Sequence, residues 1–251
     1  LGFITRPYRF AVEESSFDSL HGDTSLVAYY KFNESSGNII NKSLDGAKIA
    51  NSDLVVTGAT YGATGILGDA LSFDGVNDYA IASSSAASAW GFLNQTGGVF
   101  TIIAWVKADA FSQVKNIATT TNFNANDNGF LWALQTDRHL NCLFGDAPDD
   151  LVSLHGSSFP NDTTNFHMCM IRYDDATGVV GISVDDGTEA TDTGNNLTTS
   201  TTPESQFTVA SGIGVDIFLD GDMDEVSVWS KRLSDTEITD LYNGGAGRRI
   251  Y

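Results

Sequence analysis

The chain has 251 residues, 41% of them hydrophobic and 18% charged, which is enough for one large all-β domain with a full core. Its 32 acidic and 13 basic residues give a formal net charge of -19. Phosphate backbones and anionic membrane surfaces are repelled by such a surface, so nucleic acid is not an expected partner. Only 4 prolines and 25 glycines occur, which excludes collagen-like and Pro-rich architectures, and no apolar run approaches the roughly 18 residues that cross a bilayer.

Residues 1–23 carry Arg6, Pro7 and Arg9, then Glu13, Glu14 and Asp18, with sparse, aperiodic apolar positions. They read as an N-terminal arm that docks on a neighbouring subunit. No leader-like apolar segment opens the chain, and the start at Leu1 is expected of a processed or incompletely traced product.

From Leu26 the pattern turns to β. Leu26 to Phe32 is rich in strand formers, and Asn33 to Gly37 reads as a turn. A long glycine-punctuated loop is expected over 41–68. Ala70–Asp74, a turn at Gly75–Asp78 and Tyr79–Ala82 then give a hairpin signal. Phe100–Val106 is apolar on both faces and so reads as a central strand. Strands follow at 130–134, 140–144, 166–171 and 179–184, with a tight turn at Val184–Gly187, and the last two lie at 207–209 and 223–229. Short strands at this spacing predict a two-sheet antiparallel β-sandwich, or jelly roll, over 24–247, followed by a tail at 248–251. One short helix is signalled: Ser234-Asp-Thr-Glu237 is a capping box, Ile238, Leu241 and Tyr242 follow at helical spacing, and Gly244 stands at the end.

The chemistry-bearing residues are few. Cys142 and Cys169 both alternate with apolar neighbours in strands; buried free thiols and a cross-strand disulfide are both open. The four histidines, His21, His139, His155 and His167, form no His-X-His or His-Glu pair, so no zinc site is expected from spacing. Five Asn-X-Ser/Thr sequons are what a chain rich in Asn, Ser and Thr yields by chance. Asp220, Asp222 and Asp224 alternate, which in a strand projects three carboxylates together. The competing reading is a turn at Asp220-Gly-Asp222 with Asp224 holding a loop or pairing with Arg232. Among aromatics that can stack on sugars, Trp90, Phe92, Phe130 and Trp132 stand out. Trp105 and Trp229 suit a core. Trp90 lies in an expected loop and is the best platform candidate. Trp132 shares a strand face with Phe130 and Leu134, leaving packing and ligand stacking both open.

Gly221-Asp-Met-Asp-Glu-Val-Ser-Val-Trp-Ser-Lys-Arg-Leu-Ser-Asp-Thr-Glu-Ile-Thr-Asp-Leu-Tyr-Asn-Gly244 resembles the C-terminal end of pentraxins and of the laminin G-like concanavalin A superfamily. Val27 to Gly37 is similar to the family's first strand and Glu-Ser-Gly turn, and Gly68 to Tyr79 to its second and third strands. Phe100–Val106 and 166–187 continue the resemblance in order over about residues 25–245. The resemblance implies a concanavalin A-like jelly roll, frequent structural Ca2+, and recognition of glycans or proteins. It places the calcium ligands at Asp127 and Asn128, with Asp216 from a second acidic cluster reduced to Asp216 and Asp220. Related glucanases carry two catalytic Glu about 5 Å apart flanking an Asp; this chain has Asp where both Glu are required, so glycoside hydrolysis is the remotest reading.

The sequence therefore leads to a non-catalytic recognition or decoration module, displayed outside the cell or on a virion. Its expected partner is a glycan or surface protein, with Ca2+ as cofactor, neighbouring subunits held through residues 1–23, and homo-oligomerisation open. The alternative is a purely structural virion or surface-array subunit without glycan binding.

Overall fold

The computed structural model describes residues 20–121, 128–146, 150–198, 202–212 and 217–251. In chain order the strands are β1 (Leu26–Tyr30), β2 (Val55–Thr57), β3 (Thr60–Thr64), β4 (Asp69–Asp74), β5 (Tyr79–Ile81), β6 (Val99–Ala108), β7 (Lys115–Thr119), β8 (Asn128–Leu134), β9 (His139–Asp146), β10 (Asp150–Ser158), β11 (His167–Asp174), β12 (Val179–Val184), β13 (Ala190–Asp192), β14 (Thr208–Val209), β15 (Ser211–Gly212), β16 (Ile217–Phe218) and β17 (Asp220–Trp229). The helix α1 (Asp235–Tyr242) follows β17. One sheet has the order β13-β12-β11-β6-β17-β4-β3, with β1 also paired to β17; the facing sheet has the order β10-β9-β8-β7-β14-β5-β2. All the pairings are antiparallel, so the predicted jelly roll is the observed fold.

The period-two patterning explains the layers. In β6, Phe100, Ile102, Ala104 and Val106 enter the core between the sheets. Ile103 and Trp105, on the other face, enter a second cluster. A strand buried on both sides sits between two partners, here β11 and β17. Phe100 anchors the inter-sheet core, with ring centroids 5.4 Å from Phe144, 5.7 Å from Phe130 and 5.8 Å from Tyr173. Each such burial stabilises the fold by about 1.5–3 kcal/mol. Cys142 and Cys169 are free and buried in this core, where loss of water pushes the Cys142 thiol up to about 12 and Cys169 upward as well.

The second cluster is a lid on the outer face of the β6 sheet. Trp229, Leu233, Ile238, Leu241 and Ile250 pack there with Leu20 and Tyr29, and Trp105 stacks on Tyr242 with centroids 5.9 Å apart. The capping box forms as predicted: Ser234 Oγ accepts the Glu237 amide, and the Glu237 carboxylate accepts the Ser234 amide at 2.8 Å. Asn243 takes the left-handed cap (φ 50°) one residue ahead of Gly244 (φ 63°). Arg172 ties α1 to the sheet, donating to Asp235 in its first turn at 2.5 Å and to the Leu233 carbonyl just before it at 2.6 Å. Of the proposed arm, residues 1–19 lie outside the described residues; Leu20 is buried in the lid, and Lys231 donates to Asp23 at 2.5 Å.

Four local expectations are corrected. The segment 70–82 is not a hairpin: β4 pairs with β3 and β17, whereas β5 pairs with β2 and β14 in the other sheet. The chain crosses between layers because the corner satisfies its own amides. Asp74 Oδ1 accepts the Val76 amide at 2.8 Å, Asp78 Oδ2 accepts the Asp74 amide at 3.0 Å, and Gly75 (φ 72°) supplies the left-handed turn. The loop expected over 41–68 contains β2 and β3. Asp220-Gly-Asp222 is no turn but the start of β17, extending the ladder against β4 and β6. Finally, β10 forms an edge strand at 150–158 that the pattern did not reveal; the polar positions Ser153, His155 and Ser158 break up its apolar signal.

Candidate functional site

Both aromatic candidates are in the core. Trp90 is 0% exposed; it stacks on Phe207 at 4.7 Å and its indole N–H donates to Ser85 Oγ at 3.0 Å. Trp132 is also 0% exposed and belongs to the inter-sheet core. Neither offers a ring face to a ligand. The short 3-10 segment Ala87–Leu93 folds Trp90 inward, where apolar burial outweighs the exposed position that a loop reading implied. Phe130 is buried as well.

The alternating carboxylates of β17 are individually committed. Asp220 meets Lys115 at 3.4 Å, and Asp222 pairs with Lys107. Asp224, fully buried, accepts the Leu67 amide at 3.0 Å and the Glu225 amide at 2.8 Å, so it holds a loop rather than pairing with Arg232. Next to it Glu225 accepts the Tyr29 hydroxyl and lies 3.6 Å from Arg249. Burial pushes Asp224 up to about 6 and Glu225 up to about 7, the latter also raised by the neighbouring Asp224 charge against the lowering Tyr29 bond. These acids are closed off from solvent and cannot reach a sugar.

Of the calcium ligands implied by resemblance, Asp127 and Asp216 lie outside the described residues. Asn128 opens β8, and its buried Oδ1 has no hydrogen-bond partner among the described residues.

The tertiary structure assembles a different cluster. The β8–β9 connection turns tightly: the Arg138 amide donates to the Gln135 carbonyl at 2.9 Å, and Arg138 takes φ 65°. Asp137 sits at its tip. The antiparallel register then sets Asn141 opposite His155 and His139 opposite Ser158, with a bulge between Gly156 and Ser158 where Ser157 takes φ 54°. Leu140 and Cys142 point into the core, so His139 and Asn141 face outward. As a result His155 Nε2 lies 3.2 Å from Asp137 Oδ2, and His139 Nδ1 lies 3.4 Å from Asp137 Oδ1. The two imidazoles meet edge to face at 5.3 Å. The His139 amide donates to Asp137 at 3.1 Å and, opposed only by slight loss of water and helped by His155, holds that carboxyl below its ordinary range. One donor atom from each of Asp137, His139 and His155 lies within 4.8 Å of the others, so this cluster can coordinate a metal ion. The scattered spacing hid it, because two of the ligands come from strands that meet only through a ladder and one of those strands had no visible signal. The legible hint was Asp137-X-His139 straddling a turn.

His167 is the opposite case: a half-buried strand histidine whose Nδ1 lies 2.8 Å from Asp185 Oδ2, with Asp162 3.7 Å from Nε2. Burial works against its charge, but the Asp185 bond and both carboxylates prevail and raise it.

The solved structures with this fold include Trypanosoma rangeli sialidase in complex with 2,3-difluorosialic acid, 17% identical, with a TM-score of 0.64 over 90% of this chain and 34% of that one. They also include the botulinum neurotoxin serotype D binding domain, 12% identical, with a TM-score of 0.61 over 88% of this chain and 52% of that one. The receptor-binding domain of the botulinum neurotoxin C/D mosaic serotype is 12% identical, with a TM-score of 0.60 over 88% and 51% of the two chains. The chain thus spans about a third of the sialidase and about half of the toxin chains. No curated protein matches it. A family model described as the concanavalin A-like lectin/glucanases superfamily matches residues 74–239, more than half of the chain and the stretch that builds most of both sheets. With the sandwich, its sheet order and the capped terminal helix all in place, the chain belongs to the concanavalin A-like lectin/glucanases superfamily.

Proposed function

We propose that this protein is a non-catalytic recognition module displayed outside a cell or on a virion, binding a glycan or a surface protein. The observation that carries the reading is the commitment of the β17 carboxylates: Asp222 pairs with Lys107 and Asp224 is sealed against a loop, so neither joins an acid pair open to a sugar. The likeness to toxin receptor-binding domains supports recognition as the use of such a scaffold. Calcium belongs to this reading through Asp127, Asn128 and Asp216; the buried Oδ1 of Asn128, without a partner among the described residues, is the type of hard oxygen that Ca2+ takes. With Trp90 and Trp132 buried, ligand contact falls to loops and polar side chains rather than to an aromatic platform. Residues 1–23 serve as the docking arm to neighbouring subunits.

A glycan array read with Ca2+ and after chelation tests the proposal. The expected result is a specific glycan signal that chelation lowers and that Asp127→Asn reduces. Silence on every glycan, together with failure to bind any cell surface, refutes recognition and leaves the purely structural subunit. Release of reducing sugar from a bound polysaccharide refutes the non-catalytic part.

A further inference from the structure

We propose that the β8–β10 edge of the sandwich carries a zinc site made of Asp137, His139 and His155, independent of the calcium reading above. Three observations converge. First, the separations fit. A tetrahedral ion with ligands at about 2.1 Å sets those ligands about 3.4 Å apart; Asp137 Oδ1 lies 3.4 Å from His139 Nδ1 and 3.4 Å from His155 Nε2. All three donors lie within 4.8 Å of one another, so a small side-chain rotation closes the third edge.

Second, His139 is oriented for ligation. Its Nε2 is 2.9 Å from Ser158 Oγ, and in the tautomer in which Nε2–H donates there, Nδ1 keeps its lone pair. Among the described residues that Nδ1 has no hydrogen-bond partner, and the group it faces is the Asp137 carboxylate 3.4 Å away, so a cation between them would engage it. The ring is held from behind, as metal-bound imidazoles are.

Third, the donor set points to a transition metal rather than to calcium or magnesium, with zinc the one to test. Two imidazole nitrogens and one carboxylate suit zinc, whereas calcium and magnesium require six or more hard oxygens. Three protein ligands leave one coordination place open to water, and Asp137 and His155 line a surface depression of about 330 Å³ together with Gln135, Thr136 and Asn141. The net charge of -19 concentrates divalent cations around the whole surface.

The test is calorimetric titration of Zn2+ into the full chain, with Co2+ as a spectroscopic probe of geometry. The expected result is one equivalent of Zn2+ at this site and a visible Co2+ band of tetrahedral intensity. His139→Gln, His155→Gln and Asp137→Asn each lower Zn2+ affinity about 100-fold, and Ser158→Ala, which removes only the orienting bond, lowers it about 10-fold. Excess Ca2+ does not compete, and Asp127→Asn leaves Zn2+ binding unchanged, so failure of this site and failure of the calcium reading are distinguishable. Zn2+ binding that survives all three ligand substitutions, or no binding by the unaltered chain, overturns the proposal. Should a substitution unfold the domain, carbethoxylation of the unaltered chain reads the same site: Zn2+ must protect His139 and His155 and leave His21 unprotected, and equal reaction with and without Zn2+ overturns it.

Discussion

Two groups of ionisable side chains in this sandwich, each gathered around an aspartate, have opposite fates. At the bulge of β17, Asp224, Glu225 and Tyr29 are gathered under the C-terminal lid with Arg249 beside them. At the edge of the other sheet, Asp137, His139 and His155 are gathered with side chains 38–52% exposed. In the first group every carboxylate has a hydroxyl, amide or guanidinium partner, and burial drives the acids toward their neutral forms. In the second, water supports the charge, and His139 Nδ1 has no hydrogen-bond partner among the described residues. Burial thus turns one group into an internal fastening and leaves the other available to a ligand.

The sharpest way to break that contrast is Asp224→Ala. It strips the acceptor from the Leu67 and Glu225 amides and opens a void, and is expected to cost about 3 kcal/mol of stability in urea unfolding. A loss below about 0.5 kcal/mol would show that the β17 group fastens nothing. Tyr29→Phe leaves Glu225 without its hydroxyl donor and is expected to cost about 2 kcal/mol in the same measurement.

The pH dependence follows from the same group. Asp224 moves from 3.8 to about 6 on folding and Glu225 from 4.5 to about 7, both chiefly through burial. Between these values the folded state binds more protons than the unfolded state, so stability falls as pH rises. The contribution is complete below the unfolded values and is lost as pH climbs through about 6 to 7. His167, also raised on folding, acts in the same direction: its contribution is present below 6.5 and lost above its folded value. Denaturation midpoints are therefore expected to be higher at pH 5 than at pH 8, and Glu225→Gln to flatten that slope. The smallest effect is expected at the exposed cluster: without metal, His155→Ala changes stability by no more than about 0.5 kcal/mol. A larger loss would mean that the cluster is structural after all.

How much of this was legible in the sequence depended on the range of the interaction that decides it. The capping box at Ser234–Glu237 and the two-faced strand at Phe100–Val106 are local signals, and both appear where they were read. The turn at Gly75–Asp78 was also read in place, but not its consequence: hairpin and inter-sheet corner share the same residues, and only the partners of β4 and β5 tell them apart. Trp90 misled for a related reason. A loop position suggested exposure, while stacking on Phe207, more than a hundred residues away in sequence, drew it into the core.

The sequence alone determined the class of fold, its acidity, its central strand and its capped end, because alternation, net charge and caps act over a few residues or over the whole composition. Tertiary structure alone decided which ionisable groups are sealed and which are offered. Asp224 and Asp137 are the same residue type; the sequence puts one in a strand and the other between strands, but does not set the depth of either. What separates them is the depth at which the ladder places each one, and depth sets the cost of charge and the access of a ligand.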